Sequence, residues 1–165
     1  MPRLQLPHTR GCLACGRENP QGLKLDLEVD EQSGVVSCIF TPKQEHIGFA
    51  GIIHGGMLAT VLDEAMVWAA TWAAKRFCVC AEMTVRFRES AVVGQPVQVE
   101  ARAISVRSRL ISTEAAVSDG RGVLVVAVGK YTPLPPERSR DFVRTLIDDP
   151  QNPAARTLRK SAGIA

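Results

Sequence analysis

At 165 residues, with 45% hydrophobic and 22% charged residues, the chain fits one globular domain with a full core, and a second domain would be crowded. Its net charge of +3 owes +2 to residues 137–165, and it has only eight aromatic residues, so no face for stacking or steering nucleic acid is expected. Five cysteines do not suggest a disulfide framework and residues 1–8 hold no apolar run like that of a secretory leader, so a reducing, cytoplasmic location is expected.

Residues 1–21 read as an irregular N-terminal segment, broken by Pro2, Pro7, Gly11, Gly16 and Pro20. Residues 22–30 alternate apolar and polar, as a half-buried strand does. Residues 31–34 supply a turn and 35–41 the returning strand, stopped by Pro42. After a polar, Gly-rich loop comes a long apolar segment from His54 to about Ala74. Within residues 57–74, 14 of 18 are apolar, and Asp63 and Glu64 are the only charges. Two carboxylates near the centre of a bilayer would cost about 2–3 kcal/mol each, so this is expected to be a buried helix and not a membrane span.

From residue 79 the pattern returns to period two. Val79, Ala81, Met83, Val85 and Phe87 fall on one face, and Cys80, Glu82, Thr84, Arg86 and Arg88 on the other. Turns at 94–96 and 118–122 separate strands over 97–106, 110–117 and 123–131. Pro133, Pro135 and Pro136 then end the domain. The expected organisation is a loop segment over 1–21, a domain over 22–132, and a C-terminal extension over 133–165 that is partly helical or disordered, with Arg156, Arg159 and Lys160 in a loose basic end. Two strands, one helix apolar nearly all round, then four strands make an α+β architecture. About six antiparallel strands form a curved sheet wrapped around the long helix, which is the hotdog fold.

Gly55 and Gly56 open the helix, where backbone N–H groups have no internal partner and the dipole end is partly positive. Without side chains to shield them, these groups suit a developing oxyanion, although any Gly-rich loop can enter a helix. Asp63 and Glu64 point about 100° apart and cannot share one environment. A buried carboxylate needs a partner or a task. Gly55 and Asp63 are separated by about 12 Å along the axis, too far to touch one carbonyl group. If they cooperate, they come from different subunits of a two-fold dimer.

His54-Gly55-Gly56, followed by Asp63 nine residues after the histidine, resembles the signature of the PaaI-like branch of hotdog acyl-CoA thioesterases. The 62–66 stretch (LDEAM), residues 87–94 and the opening Cys12-x2-Cys15-Gly16…Asn19-Pro20-x-Gly22-Leu23 are similar to that family too, and the likeness spans roughly residues 11–132. The resemblance implies hydrolysis of an acyl-CoA in a homodimer or a tetramer, with no cofactor and no metal. It implies Asp63 as nucleophile or general base and the Gly55 N–H as polariser of the thioester carbonyl. His54 and Gly56 would shape the substrate loop, and Cys80 lies near where relatives place a hydroxyl beside the carboxylate. Gly48 departs from the pattern, since several relatives carry an asparagine there; His46 or Gln44 are the candidates to replace it. Neither a nucleic-acid nor a membrane partner is expected. The alternatives are a hotdog module that binds acyl-CoA without turnover and, less favoured, a hydratase or dehydratase.

Cys12-x2-Cys15, with His8 four residues ahead, has half of a zinc site's spacing, but Cys78-x-Cys80 is not the usual second half. Lys75, Arg76, Arg86 and Arg88 are candidates to meet the phosphates of CoA. Trp68 and Trp72, one helical turn apart, are expected in the core.

Overall fold

The computed structural model describes residues 3–147 and 151–164. Seven antiparallel strands form one sheet: β1 (Arg3–Gln5), β2 (Glu28–Asp30), β3 (Val36–Phe40), β4 (Cys78–Phe87), β5 (Val97–Arg107), β6 (Leu110–Asp119) and β7 (Gly122–Pro133). Their spatial order is β1-β2-β3-β5-β6-β7-β4, so the strand that follows the long helix crosses to the far edge. Helix α1 (Gly55–Ala74) lies against β3 to β7, and α2 (Pro136–Arg144) and α3 (Pro153–Ser161) follow the sheet. The hotdog architecture expected from the sequence is the one observed, with seven strands in place of about six.

The reason α1 is apolar nearly all round is visible in its burial. Val61, Leu62, Ala65, Met66 and Ala70 have no exposed surface, and Trp68 and Trp72 lie in the core as expected. Each large side chain removed from water there contributes about 1.5–3 kcal/mol. The helix ends at Lys75, which takes a left-handed conformation (φ 53°) and stacks its ammonium 3.3 Å from the Trp72 ring. Among the described residues no helix is long and apolar enough to cross a membrane.

Strand β1 lies in the segment read as irregular, where Arg3–Gln5 pairs with β2, and three further departures from the sequence reading have local causes. Residues 22–27 do not extend β2, because Lys24 sits at φ 57° and interrupts the ladder; Leu25 instead bonds Ala14, and Leu27 bonds Leu6. Within β4 the register shifts between Cys80 and Glu82, leaving Ala81 as a bulge. The bulge breaks the expected alternation, turning Cys80 towards the helix beside Tyr131, its cross-strand partner, while Met83 and Val85 still pack on the core. The basic end is also ordered over 153–161: Asn152 caps α3 by accepting the Ala155 N–H, and Ala154, Ala155 and Leu158 are buried. Residues 148–150 and 165 of the C-terminal extension, and 1–2 of the N-terminal segment, lie outside the described residues.

The two terminal segments hold each other. Thr9 bridges Leu146, the Ile147 N–H donates to His8, and the Arg10 N–H donates to Thr145. Ala14 and Cys15 are thereby pressed into the same core as Leu146 and Leu158.

Candidate active site

The mouth of α1 is built by its three-residue entry. His54, with extended backbone (φ −61°, ψ 129°), caps the helix through its ring: the Gly56 N–H donates to His54 Nδ1 at 2.9 Å. A Cβ on Gly56 would lie 2.9 Å from that nitrogen, so glycine is what allows the imidazole to fold over the first turn. The Met57 N–H is taken by the His54 carbonyl at 2.9 Å. Gly55 is left as the first-turn donor with no acceptor among the described residues. The Phe87 ring, from the end of β4, lies where a Gly55 Cβ would be 3.2 Å away.

The loop before the mouth is tightly folded. The His54 N–H donates to the His46 carbonyl at 2.9 Å, and Gly48 backs onto His54, where an added Cβ would be 3.1 Å from the His54 Cα. An asparagine at 48 would have to displace that backbone by a few tenths of an ångström. His46 is no ready substitute. It is buried and stacked on Phe40, and its Nδ1 accepts the Lys43 N–H at 3.0 Å. Burial holds its pKa below the ordinary imidazole value, with Lys43 also lowering and Glu45 raising it. Gln44 is exposed.

Two turns further along α1, Asp63 is half-buried and faces β7. Its Oδ1 accepts the hydroxyl of Tyr131 at 2.6 Å, a short bond of the charge-assisted kind. Tyr131 has no exposed surface, and its ring fits because residue 129 is glycine: a Cβ there would lie 2.6 Å from Tyr131 Cε2. Burial and the hydrogen bond to Asp63 push the phenol pKa well up, so it stays a donor. Cys80 joins this pair through the β4 bulge; burial and then the Asp63 charge raise its thiol pKa. The structure therefore brings Asp63 and Cys80 together within one chain, and leaves His54, Gly55 and Gly56 at the distant helix mouth. Tyr131, whose hydroxyl anchors the Asp63 carboxylate, is the contact that sequence reasoning missed. Its signal was there: the chain's single tyrosine, on the inward face of an otherwise small, aliphatic strand.

Glu64 looks the other way. It is almost wholly enclosed, with Oε1 accepting the Trp68 indole N–H at 2.8 Å and Oε2 lying 3.7 Å from Cys12 Sγ. Burial lifts its pKa to about 7.

The basic candidates divide. Arg76 is spent on the Leu134 carbonyl and Lys75 on Trp72. Arg86 and Arg88 remain exposed, lining a groove of about 580 Å³ on the sheet face away from α1, together with Glu100, Arg102 and Glu114.

A seven-stranded curved sheet folded about one central helix, with a bare backbone donor at its mouth and an anchored carboxylate at its middle, defines a hotdog protein. Residues 50–126 match the family model of the thioesterase superfamily. Over that stretch the chain is similar to the thioesterase superfamily. Among solved structures it is similar to a thioesterase superfamily protein at 25% identity (TM-score 0.69), covering 74% of this chain and 63% of the other, so it spans less than two thirds of that protein. It shares its fold with the E. coli PaaI protein of the phenylacetic acid degradation operon, at 16% identity and TM-score 0.62, covering 68% of this chain and 81% of PaaI. A Streptococcus mutans protein bound to acetyl CoA has the same fold at 14% identity and TM-score 0.61, covering 67% of this chain and 88% of that one. No curated protein matches the sequence significantly.

Proposed function

We propose that this protein hydrolyses acyl-CoA thioesters in a site shared between two copies of the chain. The observation that carries this reading is the Gly55 N–H, which has no acceptor among the described residues at a helix N-terminus and bears no side chain to block an approaching carbonyl. Its natural complement is Asp63, but of the partner subunit, because the two groups of one helix are about 12 Å apart.

A two-fold pairing is supported by the sheet edge. β4 is ten residues long, bonded among the described strands only to β7, and exposed along most of its length. Such an edge is a template for a second strand. An isologous β4–β4 contact would run two α1 helices antiparallel, the mouth of one beside the middle of the other.

In the reaction, the thioester oxygen accepts the Gly55 N–H of one subunit, helped by the positive end of the helix. Asp63 of the other, held through Oδ1 by Tyr131, uses its second oxygen to take a proton from water as that water attacks the carbonyl carbon. The tetrahedral intermediate collapses, the C–S bond breaks, and CoA leaves as a thiolate that needs no strong acid. Direct attack by Asp63 through an anhydride, opened by water in a second step, uses the same geometry. His54 and Gly56 shape the mouth, and Cys80 borders the carboxylate. Neither cofactor nor metal enters the hydrolytic step.

A second reading is acyl-CoA binding without turnover; Gly48, which brings no side chain to position the water, favours it. One experiment separates the two. A panel of acyl-CoAs is offered to the full chain and to Asp63→Asn, with released thiol followed by a chromogenic reagent. Hydrolysis by the wild type that is lost in the variant supports the enzyme. Binding of acyl-CoA by both, with no thiol released from any substrate, selects the binding module.

A further inference from the structure

We propose that Cys12, Cys15 and Glu64 form a Zn²⁺ site that fastens the N-terminal segment to helix α1, with water as fourth ligand. One sulfur from each cysteine and one oxygen from Glu64 lie within 4.8 Å of one another, although the carboxylate is 52 residues from Cys12 in the chain. Zn–S bonds of about 2.3 Å and Zn–O bonds of about 2.0 Å, at tetrahedral angles, put ligand atoms about 3.5–3.8 Å apart. The Cys12 Sγ to Glu64 Oε2 separation of 3.7 Å is such an edge, and is long for a thiol–carboxylate hydrogen bond.

The turn that carries the cysteines is shaped for thiolates. The Ala14 N–H donates to Cys12 Sγ at 3.3 Å, and the Gly16 N–H closes the turn on the Cys12 carbonyl at 3.0 Å. Only glycine can close it: a Cβ at 16 would lie 2.3 Å from the Cys12 oxygen and 2.5 Å from its nitrogen. Amide donors aimed at sulfur favour the deprotonated form that binds metal. The surrounding groups also fit. Trp68 fixes the second Glu64 oxygen at 2.8 Å, and Thr9 Oγ1 sits 3.5 Å from Cys15 Sγ.

Charge supplies an independent argument. Glu64 has no Lys, Arg or His partner among the described residues. A carboxylate enclosed in this way either stays protonated or takes a cation as its partner. His8 lies outside this group of ligand atoms, and its Nε2 is taken up by Arg17 (3.0 Å) and Asp26 (3.2 Å). Two thiolates and a carboxylate select Zn²⁺ over Mg²⁺ or Ca²⁺. The metal would pin residues 9–17 to the helix one position from Asp63, and this does not depend on the hydrolytic reading.

The test uses the full chain, reduced, stripped with a chelator and titrated with Co²⁺ and then Zn²⁺ alone. The site predicts a near-ultraviolet thiolate-to-cobalt band, its displacement by about one Zn²⁺ per chain, and a parallel change in Trp68 emission. Cys12→Ser or Cys15→Ser should abolish the band. Glu64→Gln, which keeps an acceptor for Trp68, should weaken Zn²⁺ binding about tenfold or more. Cys38→Ser, buried elsewhere, should leave uptake unchanged. Should a serine variant fail to fold, the wild-type spectrum and Glu64→Gln still decide. Absence of the band in the reduced wild type, undiminished affinity in Glu64→Gln, or a band that survives in both serine variants would overturn the site.

Discussion

Asp63 and Glu64 are neighbours in sequence and alike in chemistry, yet the structure gives them opposite surroundings. Asp63 faces the sheet, where one buried phenol holds one of its oxygens and the Cys80 thiol borders the pair. Glu64 faces the N-terminal segment, where an indole and a thiol enclose it. A helical step of about 100° is the whole difference. It separates an acid that is anchored but open from one that is buried and held, and a sheet-wrapped helix can carry both because its two flanks meet different parts of the chain.

Substitutions on the two flanks should therefore fail in different ways. The largest effect is expected for Asp63→Asn, which removes the base while keeping the Tyr131 contact: kcat should fall roughly a hundred- to ten-thousandfold with the melting temperature little changed. Next is Gly55→Pro. The first helical position tolerates proline and the extended His54 backbone suits a following proline, so with the Phe87 ring giving way by a few tenths of an ångström to the added Cβ the helix should persist while the Gly55 donor is lost. Loss of an oxyanion donor should lower kcat about a hundredfold or more.

On the Glu64 flank, Trp68→Phe should show in stability, by about 1–3 kcal/mol in urea melts, because a buried carboxylate loses its donor. Tyr131→Phe should act on kcat and not KM, by about tenfold, since it frees Asp63 to turn without touching substrate. The smallest effect concerns His46. Its folded pKa is below the unfolded 6.5, so the unfolded chain binds protons more readily below that pH, and the contribution is present above pH 6.5 and lost as the pH falls. His46→Asn, which retains an acceptor for Lys43, should flatten the acid side of a stability–pH curve.

Much of this was readable from the residues. Alternation gave six of the seven strands, missing β1 in a segment read as irregular and overrunning β2; the long apolar run gave α1, and the opposed directions of Asp63 and Glu64 followed from helical spacing. What escaped was long-range. Nothing local pairs Tyr131 with Asp63, 68 residues away, or Glu64 with Cys12. The bulge at Ala81 reversed the facing of Cys80 without a glycine to announce it. Helix α3 hides its apolar stripe in two alanines and one leucine among basic residues, although Asn152-Pro153 is a helix-start signal. Lys24 took a left-handed conformation that its residue type does not advertise.

The claim that each pocket draws on two chains is open to direct trial by subunit mixing. Asp63→Asn and Gly55→Pro are prepared separately, each inactive alone, then unfolded and refolded together. A mixed pair rebuilds one intact pocket, with the donor from one chain and the carboxylate from the other, so random pairing should restore about a quarter of wild-type hydrolysis. If mixed pairs form, as tagged chains would reveal, and no activity returns, the shared site is wrong.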